Sequence, residues 1–237
     1  MSLRAVFFDA GNTLLRMNYP DIAAALGRHG VAATAEAVQR AEWRARVRLD
    51  AAVLVHARST ESGSTHLSYL RYLLEGLGVT DEATIQAMEA WRRAYRGPGG
   101  LWNTADPDAG AALDAVRAGG LRSAVISNSD GTIRALVTRL GLGDRLDFVV
   151  DSGEEGVEKP DPRIFEIALA RAGVKREEAA YIGDLYSIDV VGARGVGIRP
   201  ILLDPGDCWG PRDCETAPGV LEAVRRLLGQ SGGVMNG

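Results

Sequence analysis

Asp9 closes the apolar run Val6-Phe7-Phe8 and is followed by the turn Ala10-Gly11-Asn12 and by Thr13. A buried strand that ends this way delivers one carboxylate to the edge of a sheet. Two later apolar runs end in polar groups as well, one at Ser127-Asn128 and one at Gly183-Asp184. In open parallel sheets ligands bind outside the carboxyl ends of the strands, so three such ends define one crevice. Asp189 follows Asp184 at a spacing that, in a turn from strand into helix, can bring both carboxylates to the same mouth. Three converging acids repel one another unless a cation joins them. An all-oxygen ligand set with spare water positions suits Mg2+. The plainer alternative is that Asp184 caps the next helix and Asp189 lies on its solvated face.

Lys159 sits in Glu158-Lys159-Pro160-Asp161-Pro162, where two prolines fix an extended approach and a helix start. Of 27 basic residues only Lys159 and Lys175 are lysines, which makes each position informative. A compact ammonium on a stiff loop suits a phosphoryl oxygen or a nucleophilic carboxylate as its partner. Lys175, in Val174-Lys175-Arg176-Glu177-Glu178, reads as part of a charged turn. Ser127 and Asn128 offer a hydroxyl and backbone N–H donors that can grip a phosphate oxygen, or that simply satisfy the end of a strand.

The elements that must position these groups follow from periodicity. Residues 3–8 read as a buried strand. Residues 20–96 change to helical spacing: Ile22, Ala25 and Leu26 share a face, Thr34 opens a long helix towards His56, residues 64–77 form a third helix, and Thr80-Asp81-Glu82 caps a fourth carrying Ile85, Met88 and Trp91. After the linker Gly97-Pro98-Gly99-Gly100 the rhythm becomes helix and strand in turn. Helices are expected over 106–118, 131–140, 162–172, 188–194 and 220–228. Strands are expected over 121–126, 146–150, 179–182 and 200–203. This alternation predicts an α/β fold, a doubly wound parallel sheet with an all-helical module inserted after the first strand. The expected division is 1–16 and 99–237 for the core and 17–98 for the insert, with an unstructured Gly/Ser tail.

The bulk numbers narrow the classes. The chain has 237 residues, 46% hydrophobic and 24% charged, with a formal net charge of −4. Nothing suggests a nucleic-acid or membrane surface, and no apolar run has membrane-spanning length. Without a signal-peptide pattern, and with only Cys208 and Cys214, the chain reads as cytoplasmic.

Asp9…Thr13, Ser127, Lys159 and Gly183-Asp184…Asp189 stand in the order and setting of the four motifs of the haloacid dehalogenase superfamily. The chain resembles that superfamily over residues 3–228, and its Ser127 to Asp189 half most resembles the branch of small phosphatase-like HDHD-type hydrolases. The helical insert resembles the superfamily's C1 cap. The resemblance implies that Asp9 is the nucleophile and forms an aspartyl-phosphate. It implies that Asp9, the Gly11 carbonyl and Asp184 hold Mg2+ with Asp189 beside them, and that Ser127 and Lys159 bind the phosphoryl group. The loop residues Gly11, Asn12 and Thr13, with Asn128, then belong to the substrate side. The implied partner is a small phosphorylated metabolite, and the chain is a monomer or a homodimer.

Gly11 departs from the pattern. The family's phosphatases usually carry Asp there as general acid and base, a contribution typically worth about 10²–10⁴-fold. Asn12 takes a position that is usually Gly, and Asn tolerates the left-handed turn. The expected result is a slow phosphatase that prefers aryl or acyl phosphates to alkyl ones. The superfamily's dehalogenases do not keep the Gly-Asp pair, so Asp184 with Asp189 argues against halide chemistry. No lysine precedes Lys159 to serve an imine route. A dehalogenase-type hydrolase and a protein that binds a phosphorylated metabolite without turning it over remain the alternatives.

Within the insert, Arg40, Arg44, Arg46, Arg48, Arg58 and Arg71 read mainly as a solvated helix face, with Tyr69, Tyr72, His56 and His66 among them. Asn18, Tyr19 and Trp102 are better placed for the entrance to the site, an expectation from position alone.

Overall fold

The computed structural model describes residues 2–56, 62–97 and 100–229, with the backbone alone for 53–56. Arg58, part of the expected linker and nearly all of the expected tail lie outside the described residues.

Strand β1 (Ala5–Phe8) leads through the Asp9–Thr13 turn into the short β2 (Leu15–Arg16). Four helices follow: α1 (Tyr19–Gly27), α2 (Ala35–His56), α3 (Gly63–Gly76) and α4 (Glu82–Ala94). Their starts are written in side chains. The Asn18, Ser62 and Asp81 side chains accept from the amides of Asp21, Thr65 and Thr84, caps worth about 1 kcal/mol each. The chain returns through β3 (Thr104–Ala105), which pairs antiparallel with β2 and closes the neck of the insert. The remaining elements are α5 (Ala109–Ala118), β4 (Arg122–Ser127), α6 (Ile133–Arg139), β5 (Phe148–Asp151), α7 (Ser152–Glu155), α8 (Pro162–Ala172), β6 (Ala179–Gly183), α9 (Val191–Gly195), β7 (Arg199–Leu203), β8 (Glu215–Ala217) and α10 (Val220–Leu227).

Six strands form one parallel sheet in the order β5-β4-β1-β6-β7-β8. The fold is thus the expected doubly wound α/β sheet. β1 lies between β4 and β6, so the chain turns to opposite sides of β1 and opens a crevice at its carboxyl end. Val6 and Phe8 face one apolar layer with Leu113, Leu136 and Val224. Phe7 faces the other with Ile126, Phe165 and Tyr181. Helices α1–α4 bury a third cluster of their own, including Leu26, Leu73, Leu74 and Met88.

Sequence and structure differ at a few places. α5 begins three residues after the expected start, because Thr104–Ala105 pairs with β2 and Asp106 is spent in a turn, accepting from the Asp108 amide. The helix expected from residue 188 is split into a π-helical turn, Tyr186–Val190, and the short α9. β2, β3, α7 and β8 are too short to carry a periodic signal.

Candidate active site

The carboxyl ends of β1, β4 and β6 bring Asp9, Ser127 and Asp184 to one cavity of about 340 Å³. Gly11, Asn12, Asn128, Lys159 and Asp189 also line it. Thr13 does not: it is buried behind this wall and borders a neighbouring cavity with Arg16 and Arg46.

Lys159 is the hub. Its Nζ donates to Asp9 Oδ1 at 2.6 Å, Asp189 Oδ1 at 2.7 Å and Tyr181 Oη at 2.8 Å. The loop that carries it is clamped from β4: Asn128 Oδ1 accepts from the Lys159 amide at 2.7 Å, and Asn128 Nδ2 donates to the Lys159 carbonyl at 3.0 Å. Burial works against the Lys159 ammonium, but Asp189 and Asp9 outweigh it and hold the group above its ordinary value. Asp9, 8% exposed, is pushed by burial up to about 6, with Lys159 opposing and Asp189 adding to the rise.

Asp189 is committed on both oxygens. Oδ1 accepts from Lys159 and from Tyr181 Oη at 2.9 Å, and Oδ2 accepts from the amides of Asp184 and Leu185 at 3.1 and 3.0 Å. A Cβ on Gly183 would stand 2.4 Å from this carboxylate, so the close approach requires glycine there. Tyr181, absent from the sequence reading, completes the network. A tyrosine two residues before a strand-end Gly-Asp was its only signal.

The insert enters the site through one stripe of α2. Glu42, Arg46 and Asp50 recur every four residues and therefore share a face. All three are buried, at 0%, 3% and 6% exposure. Arg46 donates through Nε and Nη2 to Glu42, at 2.9 and 2.6 Å, and its Nη1 lies 3.5 Å from Asp184 Oδ2. The Tyr19 and Tyr69 hydroxyls donate to Glu42. Asp50 Oδ1 accepts from the amide and hydroxyl of Ser187, in the π-turn between Asp184 and Asp189. Arg46 is thus no solvated residue, and this corrects the sequence expectation. Arg40, Arg44 and Arg48 are exposed as expected. Asn18 and Tyr19 also differ from expectation, since Asn18 caps α1 and Tyr19 is tied to Glu42. Trp102 does line the cavity, with His66, Tyr69 and Arg92.

Asn12 adopts the left-handed conformation, at φ 55°. Its Nδ2 donates to Tyr69 Oη and to Asp184 Oδ2, both at 3.1 Å, and its Oδ1 accepts from Trp102 Nε1 at 2.9 Å.

The donor set can be tested against a divalent cation. Oxygens of Asp9, Asp184 and Asp189 lie within 4.8 Å of one another. Among the described residues, the four buried carboxylates Asp9, Glu42, Asp184 and Asp189 contact two buried cations, Lys159 and Arg46. Burial raises the Asp184 carboxyl well above the carboxylate range, with Asp9 and Asp189 adding to the rise against Arg46. This surplus of negative charge in an all-oxygen setting fits Mg2+. With Asp189 committed to the frame, Asp9 and Asp184 are the side chains suited to hold the ion.

A doubly wound parallel sheet with an acid, a lysine and a second acid pair at its central strand ends, and a helical insert above them, defines a class of hydrolase. Residues 3–197 match the family model of the haloacid dehalogenase-like hydrolases, and the chain belongs to that family. It is 30% identical over 225 residues to the bovine haloacid dehalogenase-like hydrolase domain-containing protein 3, covering 92% of this chain and 88% of that protein. It is 41% identical over 113 residues to a phosphoserine phosphatase of Thermus thermophilus, covering 47% of this chain and 45% of that protein, so this match spans about half of each. A solved dehalogenase with an intermediate complex shares the fold at a TM-score of 0.61 and 23% identity, over 97% of this chain and 99% of that one.

Proposed function

We propose that the chain hydrolyses phosphate monoesters of small molecules, with Mg2+ and through a covalent phosphate on Asp9. The observation that carries this reading is the buried contact of Asp9 with Lys159 at the foot of the cavity, with Asp184 alongside. A carboxylate can attack a phosphate dianion only if charge is neutralised nearby. Mg2+ held by Asp9, Asp184 and the Gly11 carbonyl would supply part of that neutralisation. Lys159 supplies the rest from a fixed position. It keeps Asp9 ionised and oriented, and because its three N–H donors go to Asp9, Asp189 and Tyr181, a phosphoryl oxygen would take the place of one of these partners. Ser127, with the β4 loop, contributes the hydroxyl that positions the transferring group. Asp189 and Tyr181 hold Lys159 in place. The phosphatase name of the Thermus relative supports the same reading.

The insert, 17–98, acts as a cap that excludes water and shapes the substrate side, and 1–16 with 99–237 forms the core. Turnover is slow, because no carboxylate stands at position 11 to protonate the leaving group. The test is phosphate release from an aryl phosphate, with and without Mg2+. The reading expects Mg2+-dependent release that Asp9→Asn abolishes. Binding of phosphorylated metabolites without release, or halide release from a haloacid in its place, overturns it.

A further inference from the structure

The site lacks an acid beside the nucleophile, and the structure shows what stands there. A Cβ on Gly11 would lie 4.0 Å from Asp9 Oδ2 on one side, and 3.4 and 3.5 Å from Cδ1 and Nε1 of Trp102 on the other. Position 11 therefore looks onto the face of Asp9, and the edge of an indole closes the space next to it. Trp102 is not a loose surface ring. Its Nε1 donates to Asn12 Oδ1, and Asn12 is itself pinned by Tyr69, Asp184 and a left-handed backbone. The indole stacks on Tyr69, with ring centroids 5.7 Å apart and planes 24° apart, and touches His66 at 5.9 Å. All three rings line the cavity above Asp9, with Leu49, Ile133 and Leu136 beside them.

We propose that Trp102 is the specificity-determining residue of the site, and that with Gly11 it selects phosphate esters of aromatic alcohols. The proposal rests on the phosphatase reading and names its substrate class. In place of an acid–base group stands the edge of an indole clustered with Tyr69 and His66, which receives an aromatic ring in an edge-to-face contact. The chemistry matches the wall. Asp9 attacks phosphorus, the bond from phosphorus to the ester oxygen breaks, and the electron pair leaves on that oxygen as an aryloxide that needs no proton from the enzyme. Water then cleaves the aspartyl-phosphate, restoring the Asp9 carboxylate and leaving both of its protons on the hydroxyl groups of the released phosphate. An alkyl ester has no such exit, because its alkoxide requires an acid that position 11 does not supply. His66 does not fill that role near neutral pH, since burial, with Arg92 adding to it, lowers its imidazole to about 4.

The experiment measures kcat and KM over a series of substituted phenyl phosphates and one alkyl phosphate. The proteins are wild type, Gly11→Asp, Trp102→Ala, Trp102→Phe and Gly11→Asp/Trp102→Ala. Trp102→Ala is expected to raise KM for phenyl phosphate about tenfold, and Trp102→Phe, which keeps a ring, to restore most of the loss. Gly11→Asp alone is expected to leave alkyl phosphate turnover low, because the indole, in van der Waals contact with the new Cβ, restricts the orientations open to the carboxylate beyond it. The double variant is expected to raise alkyl turnover at least about tenfold and to flatten the dependence on leaving-group acidity. Alkyl turnover restored by Gly11→Asp alone, or an aryl KM indifferent to Trp102→Ala, overturns the proposal.

If wild type releases phosphate from no ester, the phosphatase reading fails, and calorimetry with phenylphosphonate and methylphosphonate still decides the role of Trp102. A preference for the phenyl compound that Trp102→Ala removes supports the role, and equal binding of the two by wild type refutes it. Should Trp102→Ala fail to fold, Trp102→Leu takes its place in both measurements.

Discussion

Lys159 contacts Asp9, Asp189 and Tyr181 at once, so one side chain neutralises the proposed nucleophile, Asp9, and ties it to the frame. Its importance was legible from a simple oddity, a lysine between prolines in a chain that otherwise uses arginine. Asp9, Ser127 and Asp184 were legible as strand ends. The commitment of Asp189 was not, because sequence spacing cannot say which partners claim a carboxylate first. His66 makes a separate point at this scale. Burial, with Arg92 adding to it, lowers its folded value to about 4 from 6.5, so the unfolded chain binds the proton more readily between those values. The stability it contributes is therefore complete above pH 6.5 and falls as pH drops towards 4. The loss is about 2–3 kcal/mol. Asp9, raised by burial to about 6, acts in the opposite direction, contributing stability below pH 3.8 that fades as pH rises through 6. Urea unfolding at pH 5 and pH 7 should show a smaller loss on acidification for His66→Gln than for wild type. Equal losses would show that His66 is not held neutral.

Helix α2 is the element that couples insert and core. Its Glu42-Arg46-Asp50 stripe buries three charges, and two of them reach the loop that carries Asp184 and Ser187. Removing one member of such a set leaves its partner charged and buried, which costs about 3–5 kcal/mol. Glu42→Ala should therefore lower stability by that amount in urea titration. Glu42→Gln, which keeps the shape and an acceptor for Arg46 while Asp184 still faces the guanidinium, should lower it much less. Similar losses for the two would contradict the pairing. The stripe was present in the sequence as an acid, a base and an acid four residues apart among alanines. It was overlooked because Arg46 reads as one of a run with Arg40, Arg44 and Arg48, which share the exposed face, and charge on a helix ordinarily marks its solvated face. The long elements α2, α3, α4 and α8 were legible from periodicity and caps. The π-turn Tyr186–Val190 was not, since its form is set by hydrogen bonds that Asp189 and Asp50 accept from the Leu185 and Ser187 amides and that exist only in the folded chain.

At the scale of the whole molecule, sheet and insert each have an apolar core, and the candidate site lies where they meet. Among the described residues no helix is long and apolar enough to cross a membrane. The excess of buried carboxylate predicts that a divalent cation stabilises the fold by mass action, by about 2.7 kcal/mol at a hundredfold excess over its Kd. Thermal melts with rising Mg2+ should move upwards for wild type and not for Asp184→Asn. A melt indifferent to Mg2+ would show that the acids are balanced by the protein alone. The central claim concerns Asp9 as the atom donor to phosphorus, and acid-quenched protein taken during turnover of an aryl phosphate tests it most directly. The account predicts, by peptide mass spectrometry, a phosphoryl group on the Asp9 peptide that is absent from Asp9→Asn. Steady phosphate release with no such adduct, or with the adduct on another residue, would contradict it.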